Sequence, residues 1–435
     1  MRENMKLQPI GVSNRLFYYM WGGEQAAFDI CFHFALQDEL DEALLKTSAA
    51  KALQNFPELA IRPVLHEGTV WAMENDAPLP FYPPEGQPLL YGTEETHGYP
   101  FVFRTGEQGF TFSYFHGLAD FHGIWGFLRT LLYYYAQGKG LPVKPEEGMR
   151  LKPDYPADEL ERLDPYRKYR EEISPEKPPA SPPVFQIPEE SYPAETDYCT
   201  GYELRCPLGD FLAAAKAQQT SVSAFIALTA ARALTSIYEV GDQSIAIMLS
   251  AGMHPYYHTS TIVNFSDALN LRYDKQLRGL PQDKQGAALK AQLKAQLNRE
   301  HFAPLIAGKT AMVDSFASSG IDICQWNQHF ATAPKEPGTI TLPLTYPGSL
   351  DPGPAFKPLL QEVTRLICIR RFGEFGLAAS TCGDTMYIRS CQRFDSPAII
   401  KAMQKELEQA GLKADFSQLP DYRGNQMVPE KLLRI

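Results

Sequence analysis

The sequence predicts an α/β protein of two lobes, and three observations carry that reading. At 435 residues the chain exceeds what one hydrophobic core ordinarily serves, so two or three domains are expected. Segments of strand periodicity alternate with segments of helical periodicity in both halves. Between the halves proline recurs, as in 175-PEKPPASPPVFQIPEESYP-193, at a density that excludes long helices and central strands. The expected division is an N-terminal lobe over 1–140, an extended crossover over 141–197 and a C-terminal lobe over 198–435.

The first lobe opens with 25-QAAFDICFHFAL-36, where Phe28, Ile30, Phe32, Phe34 and Leu36 fall on one side, the period of a strand with one buried face. In 37–59 Leu40, Leu44, Leu45, Ala49, Ala52, Leu53 and Phe56 recur at helical spacing, acidic residues lead and Pro57 follows, which predicts an amphipathic helix. Short strands are expected around 60–73, 99–105 and 109–116. In the second lobe a strand near 200 precedes a helix over 221–239 with Ser221 as its N-cap. An apolar strand over 243–251, a helix through 285–302 and strands around 363–370 and 375–391 come next, with Gly383-Asp384 as a hairpin turn. A final helix over 396–411 has Pro397 in its first turn and Gly411 beyond its end.

Composition removes several function classes. The formal charge of −10 and pI near 5.5 oppose binding to phosphate backbones and anionic lipid surfaces, so neither nucleic acid nor membrane is an expected partner. No apolar stretch approaches the roughly 18 residues of a membrane span, and the opening MRENMKLQPI lacks an apolar signal region; a soluble, cytoplasmic protein is expected. The seven cysteines are odd in number, scattered and without a CxxC pair, a pattern against a disulfide framework or zinc site. A GxSxG elbow, a phosphate-binding glycine loop and an HExxH are absent, so the serine hydrolase, P-loop and zincin readings fall away.

One stretch carries candidate chemistry. In 109-GFTFSYFH-116 the alternation places Phe110, Phe112, Tyr114 and His116 on one face, with His116 at the strand's C-terminal end. Asp120 then stands before an amphipathic helix containing Ile124, Trp125, Leu128, Leu131, Leu132 and Tyr135, and its carboxylate suits the first-turn cap. A histidine framed by strand, loop and helix suits a general base, because its ordinary pKa lies near working pH. The same residues also suit a buried imidazole and a simple cap.

Together, 115-FHGLADF-121 and 262-IVNFSDALNLR-272 resemble the signatures of the CoA-dependent acyltransferase superfamily, which includes chloramphenicol acetyltransferase-like enzymes, alcohol O-acetyltransferases and condensation domains of nonribosomal peptide synthetases. The first stands where the family has HHxxxDG. The second has the length of IGPFVNTQALR, with Ile262, Phe265, Leu271 and Arg272 aligned. The segments 10-IGVSNRLFYY-19, 55-NFPELAIRP-63, 221-SVSAFIALTAARAL-234 and 344-LTYPGSLD-351 fall in the family's order, so the resemblance spans most of the chain.

The resemblance implies two chloramphenicol acetyltransferase-like lobes, each a mixed sheet flanked by helices, with a tunnel between them. It makes His116 the catalytic base that deprotonates an acceptor attacking an acyl thioester. It gives Asp120 a structural role, paired with Arg272 from the other lobe. It implies acyl-CoA as co-substrate, a small-molecule alcohol or amine as acceptor, no permanently bound cofactor and no metal. An acyl carrier protein is the alternative donor. Phe115 replaces the first histidine and Phe121 the glycine, and a Phe121 side chain filling the channel would make the chain an inactive binding protein with the same fold. Further pocket-lining candidates are Tyr256, Tyr257, His254 and His258 before the second motif, Asn264 within it, and Tyr346 and Ser349 in the 344–351 turn.

Overall fold

The computed structural model describes residues 7–23, 27–153, 156, 158–172, 184–188, 199–332, 338–370 and 375–435. Among the described residues, three mixed sheets organise the chain. The five-stranded sheet runs, in spatial order, Leu360–Arg370, Ala27–Leu36, Gly109–Phe115, Phe101–Gly106 and Phe81–Tyr82. Its inner face bears Phe32, Phe34 and Phe112, all fully buried, against the helices Glu42–Leu53 and Phe121–Gly138. The alternation seen in the sequence therefore marks the side turned to the core.

The seven-stranded sheet runs Ser266–Tyr273, Ile245–Gly252, Leu342–Thr345, Phe375–Cys382, Thr385–Gln392, Thr200–Pro207 and Asp415–Gln418. The helix Val222–Ile237 crosses one of its faces with a nearly all-apolar surface, and Gly383 takes the left-handed φ of 54° that its hairpin turn needs. A third, four-stranded sheet consists of Leu7–Pro9, Thr69–Glu74, Ile61–His66 and Leu433–Arg434.

Several expectations are corrected. The strand Leu360–Arg370 and the terminal Leu433–Arg434 do not stay with their neighbours in 198–435; they join sheets built from the first lobe, so the lobes are laced together. Within 141–197 the short helices Glu159–Leu163 and Pro165–Lys168 interrupt the expected extended crossover, and Tyr166 is fully buried; most of 173–198 lies outside the described residues. The single helix expected through 285–302 is two, Gln282–Gln296 and Arg299–Ser318, broken where Asn298 caps the second by accepting from His301 N–H. Ser221 does stand at the N-cap, but its hydroxyl makes no capping bond. Cys199, Cys368 and Cys391, remote in sequence, converge with their sulfurs within 4.8 Å of one another, which spacing along the chain does not reveal. Among the described residues no single helix is long and apolar enough to cross a membrane.

Candidate active site

A cavity of about 530 Å³ opens where the lobes meet. Phe28, Ile30, Tyr114, His116 and Phe121 wall it from one lobe, residues 248–252 and 343–347 from the other, and Arg365 and Ile367 from the strand that laces them.

His116 follows the last residue of the strand Gly109–Phe115, and its backbone is held on both sides. Its N–H donates to Phe28 O at 3.0 Å, and Asn264 Nδ2, from the other lobe, donates to its carbonyl at 2.7 Å. The loop beyond is fixed by Asn14, whose Nδ2 donates to Gly117 O and Leu118 O at 2.9 and 2.8 Å. The imidazole stacks on Phe17, with centroids 4.4 Å apart, and meets the Phe28 ring edge-on at 4.9 Å. Burial pushes its pKa down to about 4, and the Arg365 charge acts in the same direction, while its own carbonyl and Asn264 oppose the shift. The ring is therefore neutral at pH 7. Nδ1 is enclosed without a hydrogen-bond partner of good geometry, leaving Nε2 as the nitrogen that can face a substrate.

Asp120 ties the lobes together, though not through Arg272. Its Oδ1 accepts from His122 N–H at 3.0 Å, capping the helix Phe121–Gly138, and its Oδ2 accepts from Phe265 N–H at 2.8 Å across the junction. The nearest basic side chain is His254, with Nε2 3.8 Å from Oδ2. Burial pushes the Asp120 carboxyl up to about 6, with the N–H donors opposing. Arg272 lies seven residues beyond Phe265 along an extended strand, about 23 Å at ~3.3 Å per residue, out of reach of an arginine side chain at Asp120. Its main chain bonds Gln292 instead.

Of the other candidates, Phe121 and Tyr346 line the cavity. The Phe121 ring lies against Trp125 at 6.0 Å, with the Arg365 guanidinium 5.7 Å from its centroid; it forms a wall and leaves the cavity open. As a helical residue it has no need of glycine's conformational range. Asn264 is buried behind His116 and positions it without lining the cavity. Tyr256 packs on Phe302, His258 is exposed at the end of a short helix, and Ser349 accepts from Asp351 N–H in its turn. None of these three is among the cavity's lining residues. His254 does reach the cavity, buried, with a pKa pushed down to about 4, and its ring lies 4.4 Å from that of His122.

Sequence reasoning missed Phe17, Asn14, His122 and Arg365. Phe17 and Asn14 sit on the helix Val12–Trp21, whose sequence serves above only as part of a resemblance. Arg365 shares a strand face with Val363 and Ile367, all three buried. A charge on the apolar face of 363-VTRLICIR-370 was the available signal.

No protein-family model and no curated protein matches the sequence. Solved structures do match. The TRI3 trichothecene 15-O-acetyltransferase from Fusarium sporotrichioides superposes with a TM-score of 0.59 at 10% identity, over 93% of this chain and 94% of that one. The epimerization domain from the third module of tyrocidine synthetase B gives 0.59 at 10% identity, over 94% and 96%. TRI101 from F. graminearum, complexed with coenzyme A and T-2 mycotoxin, gives 0.56 at 11% identity, over 94% and 99%. At such low identity the likeness shows the fold alone, a fold shared by the two acetyltransferases and the epimerization domain.

Proposed function

We propose that the protein is an acyltransferase that moves an acyl group from an acyl-CoA thioester to a hydroxyl or amine, with His116 as general base. The observation that carries this reading is a neutral imidazole on the wall of a largely apolar junction cavity, clamped through its backbone from both lobes. The acceptor's O–H or N–H gives its proton to Nε2 as its oxygen or nitrogen attacks the thioester carbon. The tetrahedral intermediate then collapses, the C–S bond breaks, and the leaving sulfur takes the proton back from the imidazolium as free thiol. Apolar walls keep water from competing as acceptor. Asp120 and Asn264 hold the loop and His116's carbonyl, so they are positioning residues.

Coenzyme A is taken as the donor, with an acyl carrier protein as the alternative, because the F. graminearum structure holds coenzyme A in the same fold. The open cavity beside Phe121 supports turnover over an inactive binding role. The test is a panel of acyl-CoA donors with pooled alcohols and amines, read as free thiol and by mass spectrometry of products. Acylated product from at least one pairing is expected, with thiol release about 10²- to 10⁴-fold lower in His116→Ala. Unchanged release in that variant contradicts the mechanism.

A further inference from the structure

Among the described residues Arg365 stands out as a buried charge without a counter-charge. It lies mid-strand in Leu360–Arg370, opposite Phe32 in register, and is 3% exposed. One terminal nitrogen donates to Thr345 Oγ1 at 2.6 Å, the guanidinium faces the Phe121 ring, and Nε has no partner. No carboxylate lies within ion-pair distance of it among the described residues. The candidates are committed elsewhere: Glu362 to Arg205 and Arg389, and Asp120 to backbone N–H groups. Burial without a counter-charge lowers its pKa to about 10, still far above pH 7, so the cation persists. An unpaired buried cation is destabilising in a way that a methionine of similar size would avoid.

Position turns that cost into a clue. Arg365 is the one arginine or lysine among the described residues lining the cavity, whose other walls are mostly Phe, Ile, Leu, Met, Ala and Pro. A planar guanidinium matches a planar carboxylate through two parallel bonds. A phosphate dianion would call for a second cation, which the lining lacks.

We infer that Arg365 binds a free carboxylate of the substrate that occupies this cavity, so that the protein acts on an acid with an apolar body rather than on a neutral alcohol or amine. This rests on the transferase reading for the identity of the substrates. The carboxylate belongs either to the acceptor, a hydroxy or amino acid, or to the far end of a dicarboxylic acyl chain on the donor; the chemistry at Arg365 is the same.

The test is calorimetric binding to the full chain at pH 7, using probes that differ only at the carboxylate. Acceptor arms are 3-hydroxydecanoate against 1,3-decanediol, and 3-phenyllactate against 3-phenylpropane-1,2-diol. The donor arm is glutaryl-CoA against pentanoyl-CoA. In at least one arm the acid binds about tenfold or more tightly than its neutral match. That preference disappears in Arg365→Gln and Arg365→Met, survives in part in Arg365→Lys, and is untouched in His116→Ala. The ligand-free Arg365→Met protein unfolds at an equal or higher temperature than the parent, because an unpaired buried charge has gone. No preference for the acid in any arm, a preference that survives Arg365→Gln, or a marked loss of stability in Arg365→Met overturns the inference. None of these binding readouts depends on turnover. Carboxylate binding without thiol release from any donor would sink the transferase reading alone, and thiol release without carboxylate preference would sink this one alone.

Discussion

At the residue scale, His116 and Asp120 are neighbours whose pKa values move in opposite directions for one reason, burial, which disfavours the charged form of each. The consequences for stability also oppose. The folded-state pKa of His116 is about 4, below the ordinary imidazole value near 6.5, so the unfolded chain takes up the proton first. Its stabilising contribution is present above pH ~6.5 and is lost as pH falls toward 4. Asp120, raised to about 6, gives a contribution present below its ordinary value near 4 and lost as pH rises through 6. His116→Ala should therefore lose less stability than the parent between pH 6.5 and 4.5, measured by urea unfolding at both values. An equal loss in the two proteins would mean that the imidazole is not buried as described.

At the element scale, the helix Phe121–Gly138 and the segment leading into the strand Ser266–Tyr273 are held together by a single carboxylate. Asp120→Ala removes the cap and leaves the buried Phe265 N–H unpaired. It should cost about 1–3 kcal/mol in unfolding free energy and lower the rate with it. Arg272→Ala, far along the strand, should leave the rate unchanged; a rate loss matching that of Asp120→Ala would restore the pairing that the resemblance implied. Most elements were legible in the sequence because strand and helix periodicities report local burial, as in Phe32, Phe34 and Phe112 on one face. Partner choice was not legible. Nothing in 360–370 says that this strand leaves its sequence neighbours to pair with Ala27–Leu36, and a motif aligned by length placed Arg272 opposite an aspartate it cannot reach. The Asn298 break was visible as a capping residue but was hidden inside a continuous helical pattern.

At the scale of the whole molecule, the site exists because two lobes are pressed together and threaded by a shared strand. Their contact is close at Gly123, where an added Cβ would stand 2.0 Å from Ile262 O and 2.9 Å from its carbonyl carbon. Gly123→Ala should force the junction apart, cost about 1–3 kcal/mol as overpacking does, and lower thiol release by disturbing the Asp120–Phe265 bond and the Asn264 hold on His116. Gly209→Ala, in a helix with nothing within 4 Å of the added carbon, is the matched control and should be neutral or stabilising by up to ~1 kcal/mol. Equal effects at the two glycines would mean that the lobes are not in close contact there. The histidine at the strand's end was readable as a candidate base from its position alone, while the cavity it serves, with Arg365 in its wall, is assembled from strands more than two hundred residues apart.

The most direct measurement is free thiol released from the acyl-CoA panel by the parent protein and by His116→Ala, followed from pH 4 to 8 with folding checked at each point. A base with a pKa near 4 predicts that the parent's rate rises through an acid limb near that value and is level by pH 6.5, and that His116→Ala lies about 10²-fold or more below it while still folded. Thiol release that is the same in both proteins, or absent from the folded parent with every donor and acceptor in the panel, would contradict the account.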